Sequence, residues 1–224
     1  MTTTLSAPVR TAPAWRTAAL IVTPLGPLAI AVLRWLLPYD TTDDAATLVA
    51  KVATHPGVQS TVLWLSLLAL ITLPLGVLVV GAIAARARPV LGTIAAVIAW
   101  LAFANLAFLV GPDQIALAGV EAGLPATATS ALLDASMAHP VSAVATTVWV
   151  IGHILGTVLL GVALWRTIPV WAALALIVSQ PLHLVAAVIV PNHLLDGFAW
   201  LLTAVGFAVT AAVGLRPRPA ADAG

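Results

Sequence analysis

Six stretches of mostly apolar residues divide this chain, at 17–38, 58–84, 90–110, 141–165, 168–190 and 193–215. About 20 apolar residues in a helix cross the ~30 Å hydrocarbon core of a bilayer. A helix also satisfies its own backbone there, where no water can. Composition closes off the soluble alternative: 8% of the 224 residues are charged, against about 25% in soluble domains. A surface so poor in charge faces lipid. The expected fold is therefore all-α, a polytopic membrane bundle of six transmembrane helices over residues 17–215, with polar tails at 1–16 and 216–224.

The first stretch could pass for a secretory signal, but it carries Pro24, Pro27 and Arg34. No small-residue cleavage site follows it, so it reads as a retained span. Arg34 and Trp35 sit near its end, where a long cationic side chain can snorkel and an indole can anchor. The last two stretches are joined by Pro191 and Asn192 alone, which demands a tight hairpin.

Charge orients the spans. Arg10, Arg16, Arg86, Arg88, Arg166, Arg216 and Arg218 are seven of nine basic residues, and all fall on one side of a six-span topology. Asp40, Asp43, Asp44, Asp113, Glu121, Asp134 and Asp196 are seven of eight acidic residues, and all fall on the other. The positive-inside rule then places both termini in the cytoplasm. The chain has no cysteine, which excludes disulfides, thiolate metal sites, iron–sulfur clusters and a cysteine nucleophile. With a formal charge of +1, no basic stripe and no aromatic platform, nucleic-acid binding is not expected.

Two outer loops, 39–57 and 111–140, are long. Each ends in a short helical signal closed by His-Pro, at His55-Pro56 and His139-Pro140. Acidic residues suit the start of the first segment and His-Pro suits a stop. Both segments are expected to be short outer interfacial helices, with the imidazoles at their C-termini facing the negative end of the dipole. Leu48, Val49 and Val52 recur as Leu132, Leu133 and Ser136 at an offset of 84 residues. The first, third and fifth spans exit through related stretches, Pro38-Tyr39-Asp40, Pro112-Asp113 and Pro191-Asn192. The pattern suggests duplicated hairpins, although proline and aspartate are also common wherever a helix leaves a membrane.

Candidate chemistry divides between two levels. At the outer rim, His55, His139, His193 and Asp196 form a candidate metal set, since three histidines and a carboxylate could hold a zinc-like ion. His193 and Asp196 are three apart and share a helix face. No HExxH or comparable motif is present, and helix capping together with topology accounts for the same residues. Inside the membrane, Asn105, His153, Gln180 and His183 form a candidate ligand-binding set, because polar groups at such depth face the bundle interior. At ~1.5 Å per residue, His153 lies about 18 Å and His183 about 11 Å from the outer ends of their spans. That offset of about 7 Å argues against bis-histidine ligation of a haem. No cofactor is expected, with haem and zinc as the alternatives considered. Interhelical hydrogen bonding is the simpler role for His153 and Gln180. Pro181 beside Gln180 and His183 can kink its helix. Gly152 and Gly156 form a strict GxxxG and, with Gly76, Gly81 and Gly161, suit close helix packing.

Residues 43–65, with an acidic-Ala-Ala opening before the second span, and 152–161 through the Trp165-Arg166-Thr167-Ile168-Pro169 turn carry a diffuse resemblance. The chain resembles a family of small bacterial six-span membrane proteins classed as a domain of unknown function. It departs from them in its richer Trp and His content. The resemblance implies the topology and a bacterial cytoplasmic membrane, and transfers no activity and no site. A bias toward Ala, Val and Arg over Lys fits a GC-rich genome.

Three functions follow as expectations. The first is binding or transport of a small or lipophilic molecule in an intramembrane pocket. The second is a membrane-embedded, metal-dependent hydrolase using the rim residues, and the third is an accessory subunit of a membrane complex. No reactive motif is present, and no clear coupling-ion carboxylate is placed inside a span. Binding and accessory roles therefore rank above chemistry and above a proton-driven carrier.

Overall fold

The computed structural model describes residues 14–216. Of the tails expected at 1–16 and 216–224, residues 1–13 and 217–224 lie outside the described residues, and Ala14 to Arg16 open the first helix instead of closing a tail. The helices are α1 (Ala14–Leu36), α2 (Ala45–Thr54), α3 (Pro56–Ala87), α4 (Pro89–Ala104), α5 (Leu106–Glu121), α6 (Ala126–Ala138), α7 (Pro140–Leu164), α8 (Val170–Leu184) and α9 (His193–Gly214). A π-helical turn, Val185–Ile189, extends α8. Six helical segments are long and apolar enough to cross a membrane: α1, α3, α4 with α5, α7, α8 with its π-turn, and α9. The protein is an integral membrane protein of the expected six-span class.

The spans pack in chain order and close on themselves: α1 on α3, α3 on α4, α4 on α7, α7 on α8, α8 on α9, and α9 back on α1. In lipid this packing depends on close backbone approach, which small residues permit. A Cβ on Gly26 would stand 2.6 Å from the Leu73 backbone N, and one on Gly156 would stand 2.6 Å from the Ala99 N. Gly152 also faces α4, Gly76 faces α1, Gly81 faces α4 and Gly161 faces α8. The outward sides carry exposed apolar residues such as Trp64, Ile71, Leu78, Ile94 and Ile151, as a lipid-facing belt requires.

The third span corrects the expected boundaries. Asn105 ends α4 with its side-chain Nδ2 donating to the Leu101 carbonyl at 2.7 Å, while its backbone N–H turns to Ala102. The side chain competes with the backbone for the helical acceptor and breaks the ladder. The chain then resumes as α5 through Gly111, Pro112 and Asp113 to Glu121. Residues 111–121, expected as loop, are thus helical, and the helix-free link before α6 is 122–125. Tertiary contacts outweigh the Gly-Pro exit signal here: Val110, Ala116 and Leu117 are buried, and Asp113 is bonded from two other elements.

The two short helices expected at this end are α2 and α6. Asp44 caps α2 by accepting from the Thr47 N–H at 2.8 Å. That backbone hydrogen bond holds its carboxyl below the usual range. Leu48, Val49 and Val52 of α2 pack with Ala116 and Leu117 of α5 and Leu133 of α6 in a small second core. The aligned positions are used differently, since Leu132 of α6 is exposed where Leu48 is buried. His139 also departs from its expected role. Its Nδ1 accepts from the Val141 N–H at 3.3 Å, so the imidazole caps the start of α7, where Pro140 leaves the N2 amide as the first free donor.

Candidate ligand cavity

The end of the bundle that carries the aspartates, the acidic end, holds a cavity of about 820 Å³. Its wall is drawn from α1, the 37–44 linker, α2, α3, α5, α6, α7, α8 with its π-turn and α9, and is mostly apolar. Arg34, Tyr39, Asp113, His153, His183 and Trp200 supply the polar groups considered below.

One wall is a closed charge network. Asp196, in the first turn of α9, is 1% exposed in its side chain. Its Oδ2 accepts from Arg34 Nε and its Oδ1 meets His183 Nδ1. An ionised carboxylate only accepts, so in this arrangement Nδ1 carries the proton. The indole N–H of Trp200 stands 3.2 Å from the same nitrogen. Arg34 Nη2 also donates to Thr41 Oγ1 at 2.7 Å. Arg34 is therefore not the snorkelling cation expected at the end of α1. It is 14% exposed and ties α1 to α9. Trp35 beside it donates to the Leu194 carbonyl at 3.2 Å, which fastens the same two helices.

His153 and His183 face one another with ring centroids 5.4 Å apart. The depth offset of about 7 Å expected from helical rise therefore does not keep the two imidazoles apart. Trp149 stacks on His153 at 4.8 Å and Trp200 at 6.0 Å. His153 is 1% exposed, and its Nδ1 donates to the Trp149 carbonyl at 2.6 Å. That leaves Nε2 as the acceptor nitrogen, and it has no partner.

The other two intramembrane candidates lie elsewhere. Gln180 is buried against α9, donating to Thr203 Oγ1 at 2.7 Å, and does not line the cavity. Asn105 sits at the α4–α5 break beside a separate, shallow pocket with Phe108 and Pro140. Two of the four residues, His153 and His183, are thus brought together.

The rim residues do not converge. His55 pairs with Thr54 Oγ1, His139 caps α7, and Asp196 turns inward to Arg34. His193 places Nδ1 3.0 Å from the Arg34 carbonyl and Nε2 2.9 Å from Asp40 Oδ1. Among the described residues no group of three or more His, Asp or Glu side chains is arranged to hold a metal ion. Asp40 also accepts from Lys51 at 3.1 Å. Its carboxyl is held below the usual range, first by the His193 hydrogen bond and then by Lys51.

Asp113, expected in an outer loop, lies instead within a helix. It stands in the Pro89–Glu121 crossing and is 7% exposed. Tyr39 O–H and Gln59 Nε2 (2.9 Å) both donate to its Oδ1. Burial, then the neighbouring Asp113 carboxylate, pushes the Tyr39 phenol well above its ordinary range and keeps it a donor. Charge inside a membrane segment marks a functional candidate by default, and that rule applied to Arg34 and Asp113 could have found this wall in the sequence.

The chain matches no protein-family model, no curated protein and no solved structure. The resemblance carried by 43–65 and 152–161 thus adds no residue role to this geometry.

Proposed function

We propose that this integral membrane protein binds a small lipophilic molecule in the cavity at its acidic end. The supporting observation is the cavity itself: about 820 Å³, within the 300–1,000 Å³ range of ordinary ligand sites and, like them, mostly apolar with a few convergent polar groups. The facing pair of buried His153 and half-buried His183 lies on its wall. Burying a polar atom without a partner is costly, and a bound molecule that donates to His153 Nε2 would relieve that cost. The five arginines among the described residues that lie at the other end, Arg16, Arg86, Arg88, Arg166 and Arg216, support an orientation with both termini cytoplasmic and the cavity toward the outer face. The composition and the family resemblance favour a bacterial plasma membrane.

The test uses the neutral fluorescent probe N-phenylnaphthylamine with the purified protein in nanodiscs. Gly111 lies on the cavity wall, and a Cβ there meets nothing within 4 Å. Gly57 is equally unobstructed but lies off the wall. Saturable binding is expected for the native chain and for Gly57→Phe, with at least a tenfold loss for Gly111→Phe. His153→Ala is expected to alter binding while leaving insertion and folding intact. Indistinguishable titrations across the set would end the proposal.

A further inference from the structure

We infer that the molecule held in this cavity is a lipophilic cation, an amphiphile with a protonated amine, whose ammonium pairs with Asp113. The inference rests on the binding function proposed above and adds the chemistry of the ligand's head.

The argument begins with which charges are already matched. Both oxygens of Asp196 are taken, by Arg34 and His183. Both oxygens of Asp40 are taken, by His193 and Lys51, and Asp43 accepts from Lys51 at 2.7 Å. Asp113 is different. Its two hydrogen bonds come from neutral donors and both fall on Oδ1. Among the described residues no ion pair reaches it. A buried carboxylate is stable in ionised form only when it is paired, and a charge-assisted N⁺–H···O⁻ bond is among the strongest pairings open to it. The free Oδ2 belongs to a residue on the cavity wall.

The remaining polar atoms point the same way. Gln59 Oε1 and His153 Nε2 are buried without partners. Gln59 is bound directly to Asp113, and His153 lines the cavity. Both atoms are acceptors, and the one on a wall residue, His153 Nε2, asks for a donor, as does the free oxygen of Asp113. An ammonium group supplies up to three, whereas a phosphate or carboxylate head brings acceptors only. Tyr39, Trp149 and Trp200 also line the wall, and aromatic rings suit a cation. The acidic rim, with Asp40, Asp43, Asp44 and Asp134 also on the wall, attracts the same sign of charge. The apolar bulk of the cavity takes the tail.

The experiment displaces N-phenylnaphthylamine from the native protein with three chains of equal length: dodecylamine, dodecanol and dodecyl phosphate. Dodecylamine is expected to displace the probe at a concentration at least about tenfold below dodecanol, which a single charge-assisted hydrogen bond can supply. Dodecyl phosphate is expected to be weakest. In Asp113→Asn, which retains an acceptor for Tyr39 and Gln59, the amine advantage should shrink to within about twofold while probe binding persists. In Tyr39→Phe, which disturbs the same corner without removing the charge, the advantage should remain. Equal displacement by amine and alcohol, stronger displacement by the phosphate, or an amine preference that survives Asp113→Asn would each overturn the cation. In those cases the lipophilic-binding reading stands. No saturable probe binding to the native chain removes both. The head-group series on the native protein decides the question even where Asp113→Asn fails to fold.

Discussion

Replacing Asp196 with Asn tests whether the Arg34–Asp196–His183 network holds α1 to α9. The carboxylate is 1% exposed and serves two partners. Removing its charge leaves the Arg34 guanidinium, 14% exposed, without a counter-ion. Breaking a buried pair from one side costs about 3–5 kcal/mol. In a chain of 224 residues, at about 2–4 °C per kcal/mol, that is a loss of roughly 6–20 °C in the unfolding midpoint. The assay is thermal unfolding of the purified protein in one detergent, for Asp196→Asn, Arg34→Met and the double variant. Because the two groups share one interaction, the double variant should be at least about 1 kcal/mol more stable than the sum of the single losses predicts. An arginine that merely snorkels would lose nothing when Asp196 is neutralised. A midpoint shift below about 2 °C, or additive single losses, would refute the buried network.

Gly156→Val should cost about 1–3 kcal/mol through overpacking, because its Cβ would press on the Ala99 backbone of α4; Gly111→Ala, with open space around its Cβ, should be neutral or stabilising by up to about 1 kcal/mol in the same melt. The chain has no cysteine, so single cysteines report topology directly. Thr42→Cys and Thr127→Cys should react with an impermeant maleimide in intact cells, and Ala87→Cys and Thr167→Cys only after permeabilisation; the reverse pattern would invert the orientation. The Asp40 carboxyl lies below its ordinary value in the folded chain. Its contribution is therefore present above the unfolded value of about 3.9 and is lost as pH falls through the depressed one. The protection factor for hydrogen exchange in the 37–44 linker, which divides out the intrinsic pH dependence of exchange, should stay constant from pH 7 to about 5 and fall only below about 4, and Asp40→Asn should abolish that acid step.

The spans were legible because hydrocarbon matching is a one-dimensional property. Runs of apolar residues locate α1, α3, α7, α8 and α9 within a few residues. The third crossing was not legible in the same way. Gly111-Pro112-Asp113 carries every local sign of an exit, and α5 passes through it because Tyr39 and Gln59, remote in sequence, bond Asp113. Asn105 breaks the helix by a side-chain bond four residues back, without the glycine or proline that would announce it. In the site, His153 and His183 were visible as polar groups at depth, while Arg34 and Asp113 were hidden by their nearness to predicted ends. Asp196 was visible as a carboxylate, but its spacing to His193 suggested a shared metal. The two side chains instead turn to different partners, Asp40 and Arg34.

The unequal lengths of the helices have a consequence for the surrounding lipid. At ~1.5 Å per residue, the 32 residues of α3 extend about 48 Å, whereas the 20-residue crossing formed by α8 and its π-turn reaches about 30 Å. The second figure just equals the hydrocarbon thickness of an ordinary bilayer. The ring of helices thus combines a crossing of bare hydrocarbon length with one about 18 Å longer. Lipids relax mismatch by thinning or thickening next to the protein. A bilayer can match the α8 crossing without deforming, whereas α3 calls for tilt, a thicker annulus or projection into the headgroups.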